Sequence, residues 1–152
     1  MSKRIDPEKL YAEWEQDCQI DEFKLDDASL KLPQLHSKYL RFYDLAKKQL
    51  RELEYHQTKL LKMRMDWYEG TLSKEEMDAL GWPYDPYDGK LVKTKQQKEY
   101  YYKTDEVLLE MKRHIEEQKD IVDAIKEMLE NIKWRHQTIS NAIRWKQFEA
   151  GM

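Results

Sequence analysis

From Leu108 to near the end of the chain, one seam of residues recurs alternately three and four positions apart. It runs Leu108, Met111, Ile115, Gln118, Val122, Ile125, Leu129, Ile132, His136, Ile139 and Ile143. Only a long α-helix sustains that period, and its unbroken register asks for a partner helix. The apolar members, Leu108, Met111, Ile115, Val122, Ile125, Leu129, Ile132, Ile139 and Ile143, are therefore expected to form an oligomerisation surface. A second seam of the same spacing precedes it: Tyr39, Tyr43, Ala46, Leu50, Leu53, Leu60 and Trp67, with polar Gln57 and Arg64 at two of its positions.

Two long helices in 152 residues leave room for little else. The predicted fold is all-α and a single helical domain. It is a long-helix hairpin with a short N-terminal helix and a structured connector, assembling into a ring-like homo-oligomer. Residues 1–26 form an acidic N-terminal segment, 27–69 a basic helix, 70–103 the connector and 104–149 the C-terminal oligomerisation helix. Local signals support these divisions. Asp6-Pro7 reads as an N-cap followed by proline at the first helical position. Leu10, Trp14 and Cys18 would face a neighbour from that first helix. Pro33 is either tolerated near the start of the basic helix or marks a start near Leu32. Gly70 ends that helix, and Ser73-x-x-Glu76 is a capping box opening a short one to about Leu80. Residues 81–90, GWPYDPYDGK, are irregular yet rich in rings, so the loop should pack back on the helices. Leu91-Val92 is a weak candidate for an extended segment. The last helix should start between Thr94 and Thr104, with Thr104-Asp105-Glu106 offering a cap and an acidic first turn.

The net charge of −3 conceals strong local polarity. Residues 1–30 carry −5, residues 31–64 carry +6, residues 65–95 carry −3 and residues 96–152 carry −1. A segment six charges out of balance exceeds what solvating a helix face requires, and it points to a polyanion. Between Asn131 and Phe148 the charged residues are only Lys133, Arg135, Arg144 and Lys146.

Other chemistries lack their residues. His36, His56, His114 and His136 lie far apart with no second ligand at metal spacing, and HExxH and CxxC patterns do not occur. No glycine-rich loop is present to cradle phosphates. Cys18, alone, excludes an internal disulfide and fits a reducing compartment. No apolar run has the length of a membrane span, and the N-terminus has no signal-peptide core. The chain is expected to be a cytoplasmic non-enzyme without metal or cofactor.

Lys47, Lys48, Arg51, Lys59, Lys62 and Arg64 lie on the one basic helix, and Trp67 and Tyr68 follow directly. Lys133-Trp134-Arg135-His136 and Arg144-Trp145-Lys146 repeat the mixture of cations and rings. Single-stranded nucleic acid offers phosphates to the former and flat bases to the latter. These six cations are the candidate DNA-binding residues. Trp67 falls on the seam and belongs to a core. Trp134 and Trp145 fall off theirs, and face either DNA or another subunit. The alternative is a helical structural or interaction protein without nucleic-acid binding, in which acidic segments neutralise the basic helix.

Three segments, LLKMRMDWYEG (Leu60 to Gly70), LGWPYDPYDGK and AIRWKQFEAGM, resemble the UvsY recombination mediator proteins of T-even-like phages. The order of elements matches along nearly the whole chain: an acidic N-terminal helix with QIDEFKL, a basic helix closing in K-x-R-x-D-[WY]-Y-x-G, a variable connector and a C-terminal helix ending FEAG. The resemblance implies a protein that binds single-stranded DNA and helps load a recombinase onto strands covered by single-stranded DNA-binding protein. This would serve phage recombination, repair and replication in the host cytoplasm. It implies rings of six or seven subunits assembled through the C-terminal helix, and assigns DNA binding to the basic pair of the K-x-R motif, Lys62 and Arg64.

Overall fold

A computed structural model of the chain describes residues 3–151. Among these residues there are six helices and no strand. They are α1 (Pro7–Asp17), α2 (Leu25–Leu30), α3 (Leu32–Glu69), α4 (Lys74–Leu80), α5 (Lys95–Lys103) and α6 (Glu106–Glu149). The long helices α3 and α6 pair as a hairpin, and each contributes to two compact units. One unit comprises residues 1–50 and 118–152, the other residues 51–117.

The helix ends follow local chemistry. Asp6 caps α1 by accepting the Glu8 N–H at 3.0 Å, with Pro7 where its missing N–H is not needed. Ser73 and Glu76 form the expected reciprocal capping box of α4. Gly70 (φ 76°) follows α3, and Gly81 (φ 70°) caps the C-terminus of α4, in left-handed backbone that costs a side-chain-bearing residue energy.

Two boundaries refine the expectation. Of the two starts left open for the basic helix, the later one holds: Asp27 lies inside the separate helix α2, and α3 starts at Leu32 with Pro33 in its first turn. The last helix, α6, nearly fills the expected 104–149, and the connector before it holds a helix of its own. Thr94 and Gln97 make a second capping box that opens α5, and the chain breaks at Thr104-Asp105 before α6. Leu91-Val92 forms no strand.

In the unit of residues 1–50 and 118–152, Leu10, Tyr39, Ala46, Ile121, Ile125, Met128 and Ile132 form the core. Trp14 and Phe42 pack edge-on against the Tyr39 ring at 5.1 and 5.5 Å. Gln118 is completely buried and donates to the Ala46 carbonyl at 3.0 Å. Beside it, Gln49 accepts the Ile5 N–H and donates to the Lys3 carbonyl, which fixes the segment leading into α1. Cys18 is exposed and takes no part in the core.

The fate of the α6 seam is a finding about the expected oligomerisation surface. Ile115, Ile125, Ile132 and Ile139 are buried inside the chain itself and have no face left for a neighbour. Leu108, Met111, Val122 and Leu129 are half-buried, and Ile143 is 39% exposed. Ile121 and Met128 are buried beside Val122 and Leu129, because a core-facing helix covers a wider stripe than a coiled-coil seam. At the next repeat Arg135, not His136, turns inward, and its Nη1 donates to the Asp17 carbonyl at the end of α1, 2.9 Å away.

In the unit of residues 51–117, Trp67, Tyr68 and Met77 are buried among Met65, Leu72, Trp82, Tyr87, Tyr101 and Tyr102. The 81–90 loop packs back as its rings required. Trp67 Nε1 donates to the Pro83 carbonyl at 2.7 Å, and the Tyr87 hydroxyl donates to the Tyr68 carbonyl at 3.1 Å. Tyr84 stays exposed, its hydroxyl on Asp78.

Candidate nucleic-acid interface

A helix turns about 100° per residue, so residues two apart project to opposite sides. Lys62 and Arg64 obey this rule and part company. Lys62 is exposed, whereas Arg64 is buried. The Arg64 Nε and Nη2 donate to Asp105 Oδ2 at 2.9 and 2.7 Å, and the Tyr68 hydroxyl donates to the same oxygen at 2.6 Å. The guanidinium also lies 4.1 Å from the Trp67 ring centroid and 4.7 Å from that of Trp82. Two indoles and a carboxylate thus enclose the cation. In this arrangement the expected DNA-binding residue Arg64 is occupied inside the chain and presents almost no surface.

Asp105 serves two helices. Its Oδ2 takes Arg64 and Tyr68, and its Oδ1 accepts the Leu108 N–H at 3.0 Å, capping α6. Burial alone would raise this carboxyl. The hydrogen bonds from Tyr68, Leu108 and Arg64, with the Arg64 charge, outweigh burial and hold it below its ordinary value of 3.8. A folded-state value below the unfolded one gives stability that is complete above pH 3.8 and lost as pH falls through the lower folded value. Acidification from about pH 5 to about pH 2 should therefore release the Trp67 and Trp82 cluster, read as a tryptophan emission change. Asp105→Asn should abolish that step; an unchanged step would place its origin elsewhere.

The outer face of α3 within residues 51–69 is different. Arg51, Tyr55, Lys59 and Lys62 follow one another at spacings of four, four and three, which stacks them on one side of the helix. All four are exposed. Arg51, Lys59 and Lys62 make no ion pair or hydrogen bond among the described residues. Glu52 and Glu54 border the stripe on either side. In the other unit, Lys48 is likewise exposed and unpaired. Lys47 is half-buried, 3.8 Å from Asp44 and 4.3 Å from the Tyr43 ring centroid.

The C-terminal rings are exposed too. Trp134 is 56% accessible and donates to Glu130 at 3.2 Å; Trp145 is stacked on Phe148. Lys146 is engaged with the Glu22 carbonyl and the Phe23 ring and Arg135 is buried, whereas Lys133 lies 5.6 Å from the Trp134 ring centroid and Arg144 is exposed. Among the described residues no three His, Cys, Asp or Glu side chains converge as metal ligands, and no helix is long and apolar enough to cross a membrane.

Tyr55 escaped the sequence reading, although its spacing from Arg51 and Lys59 was visible. It fell off the apolar seam and beside no tryptophan, and so drew no attention.

The family described as the recombination, repair and ssDNA binding protein UvsY matches residues 13–152. The chain is also similar to crystal structures of the bacteriophage T4 recombination mediator protein UvsY. With the lattice type II structure it shares 24% identity and a TM-score of 0.75, over 97% of this chain and 99% of that one. With lattice type IV it shares 22% identity and a TM-score of 0.75, over 95% and 99%. No curated protein matches the chain. The chain belongs to the UvsY family.

Proposed function

We propose that this UvsY-family chain binds single-stranded DNA along the exposed face of α3 and acts as a recombination mediator. In that role it helps load a recombinase onto strands held by single-stranded DNA-binding protein. The carrying observation is the run of exposed cations Arg51, Lys59 and Lys62, none of which has a partner among the described residues. Unpaired cations one to two turns apart on one side of a helix are what a phosphate backbone recognises, because each phosphate contact releases condensed counterions. Lys48 adds a further free cation on the same helix, and Lys47, already drawn to Asp44, a weaker one. Arg64 contributes by holding α3 in place.

The mediator works by binding and presenting a strand, with no covalent step. Assembly into a ring of six or seven copies would repeat the short track and raise affinity through effective concentration. The apolar side chains still open to a neighbour are Ile143 and the half-buried Leu108, Met111, Val122 and Leu129, joined by Trp145 and Phe148.

The test is a titration of labelled oligo(dT) with wild type and with the triple variant Arg51→Ala, Lys59→Ala, Lys62→Ala at several salt concentrations. Losing three single-strand phosphate contacts should flatten the slope of log K against log salt by about 2. An unchanged slope removes these residues from the interface. Wild type that fails to bind the strand even in dilute buffer returns the chain to a structural role without nucleic acid.

A further inference from the structure

The geometry points to Tyr55 as a base-stacking platform at the centre of the α3 track, so that the track reads bases as well as phosphates. This rests on the single-strand-binding reading above and gives it a residue of a different chemistry.

Tyr55 is 66% exposed. Among the described residues its hydroxyl makes no hydrogen bond, and its ring meets no other ring and no cation. Many rings here are spoken for: Tyr39 packs with Trp14 and Phe42, and, separately, Trp67, Tyr68, Trp82, Tyr87, Tyr101 and Tyr102 pack among themselves. A lone exposed ring is in itself ordinary. What sets Tyr55 apart is its register. Arg51 lies four residues before it, Lys59 four after and Lys62 seven after, all on its side of the helix and all unpaired.

Four residues of helix advance about 6 Å, so the ring lies one turn from a free cation in each direction. Arg51 to Lys62 spans about 16 Å at 1.5 Å per residue. A strand advancing 3.4 Å per nucleotide would pass about five nucleotides along that length, fewer if extended. A backbone pinned by Arg51 on one side and Lys59 on the other leaves the intervening base free to turn onto the ring. Tyrosine presents its face to any base, so the contact adds affinity without selecting sequence. Glu52 and Glu54, at the edges of the stripe, keep the phosphates centred on it.

The experiment compares wild type, Tyr55→Ala and Tyr55→Phe on two strands of equal length, oligo(dT) and an abasic tetrahydrofuran oligomer. Tyr55→Ala should weaken oligo(dT) about 5- to 100-fold, the range for loss of one base–aromatic stack. It should leave the abasic strand and the salt slope unchanged, and Tyr55→Phe should bind as wild type does. Because the side chain is exposed, the thermal melt should not move. Equal weakening on both strands, no weakening on oligo(dT), or a Tyr55→Phe as weak as Tyr55→Ala overturns the stacking role. Those outcomes leave strand binding itself intact, whereas wild type that binds neither strand overturns the function on which the inference rests.

Discussion

Arg64→Ala is expected to lower stability by about 3–5 kcal/mol, the usual cost of removing one partner from a buried ion pair. Asp105 would be left fully enclosed, with Tyr68 and the Leu108 N–H as its remaining donors. The two indoles, in contact with each other, would lose the guanidinium that lies against both. For a chain of this size the melting temperature should fall by about 10 °C. Arg64→Lys should recover little, because an ammonium has no planar fork with which to give two N–H groups to one carboxylate and still cover both rings. Lys62→Ala is the contrast: an exposed, unpaired side chain whose loss should cost within about 0.5 kcal/mol of stability while flattening the salt dependence of DNA binding. Thermal melts followed by circular dichroism, run beside the DNA titration, separate the two residues. Arg64→Ala that melts like wild type yet fails to bind DNA would contradict the enclosed guanidinium described here.

Tyr39→Ala should cost a comparable amount, about 3–5 kcal/mol, as large aromatic-to-alanine changes in cores do. Tyr39 is wholly inaccessible and carries Trp14 of α1 and Phe42 of α3 edge-on against its ring. Its hydroxyl donates to Asp17 Oδ2 at 2.9 Å, beside Lys38 at 2.6 Å from the same oxygen. Burial, then the bond to Asp17, pushes the phenol well above its ordinary value, so it stays protonated and donating throughout the working range. Tyr39→Phe keeps the packing and leaves Asp17 with Lys38, for a cost of about 1 kcal/mol. Denaturant melts give the magnitudes. Limited trypsin digestion gives the location, since a loosened α1 should be cut at Lys9 in Tyr39→Ala and not in Tyr39→Phe. Equal digestion of both variants would mean that Tyr39 does not fasten α1.

The parts of this architecture that were legible in the chain are those written in local hydrogen bonds. Asp6-Pro7, Ser73-x-x-Glu76 and Gly70 each act within a few residues, and the structure uses all three as read. Thr104-Asp105 was read as a start and is also a stop, because a cap for α6 ends α5 as well. The seam of α6 was correct as a period, and the chain itself buries Ile115, Ile125, Ile132 and Ile139 of it. Periodicity shows that a face is buried, and says nothing about whether the same chain or another copy buries it.

The candidate DNA face is the proposed part. Arg51, Lys59 and Lys62, among the residues expected there, make no ion pair or hydrogen bond among the described residues. Arg64 already stood at a seam position, two residues from Lys62, and helical geometry alone forbids both from facing one strand. What no local rule could supply is its partner, since Asp105 lies 41 residues away. The same holds for Arg135 and the Asp17 carbonyl, 118 residues apart.

Asp105 holds Arg64 with one oxygen and starts α6 with the other, so neither position can drift alone. A change at 64 strands a carboxylate, and a change at 105 strands a guanidinium and unravels a helix start together. Descendants of this chain that alter the pair should therefore alter both at once, most readily toward two uncharged side chains of similar bulk, with a serine, threonine or asparagine taking over at 105 to keep α6 begun.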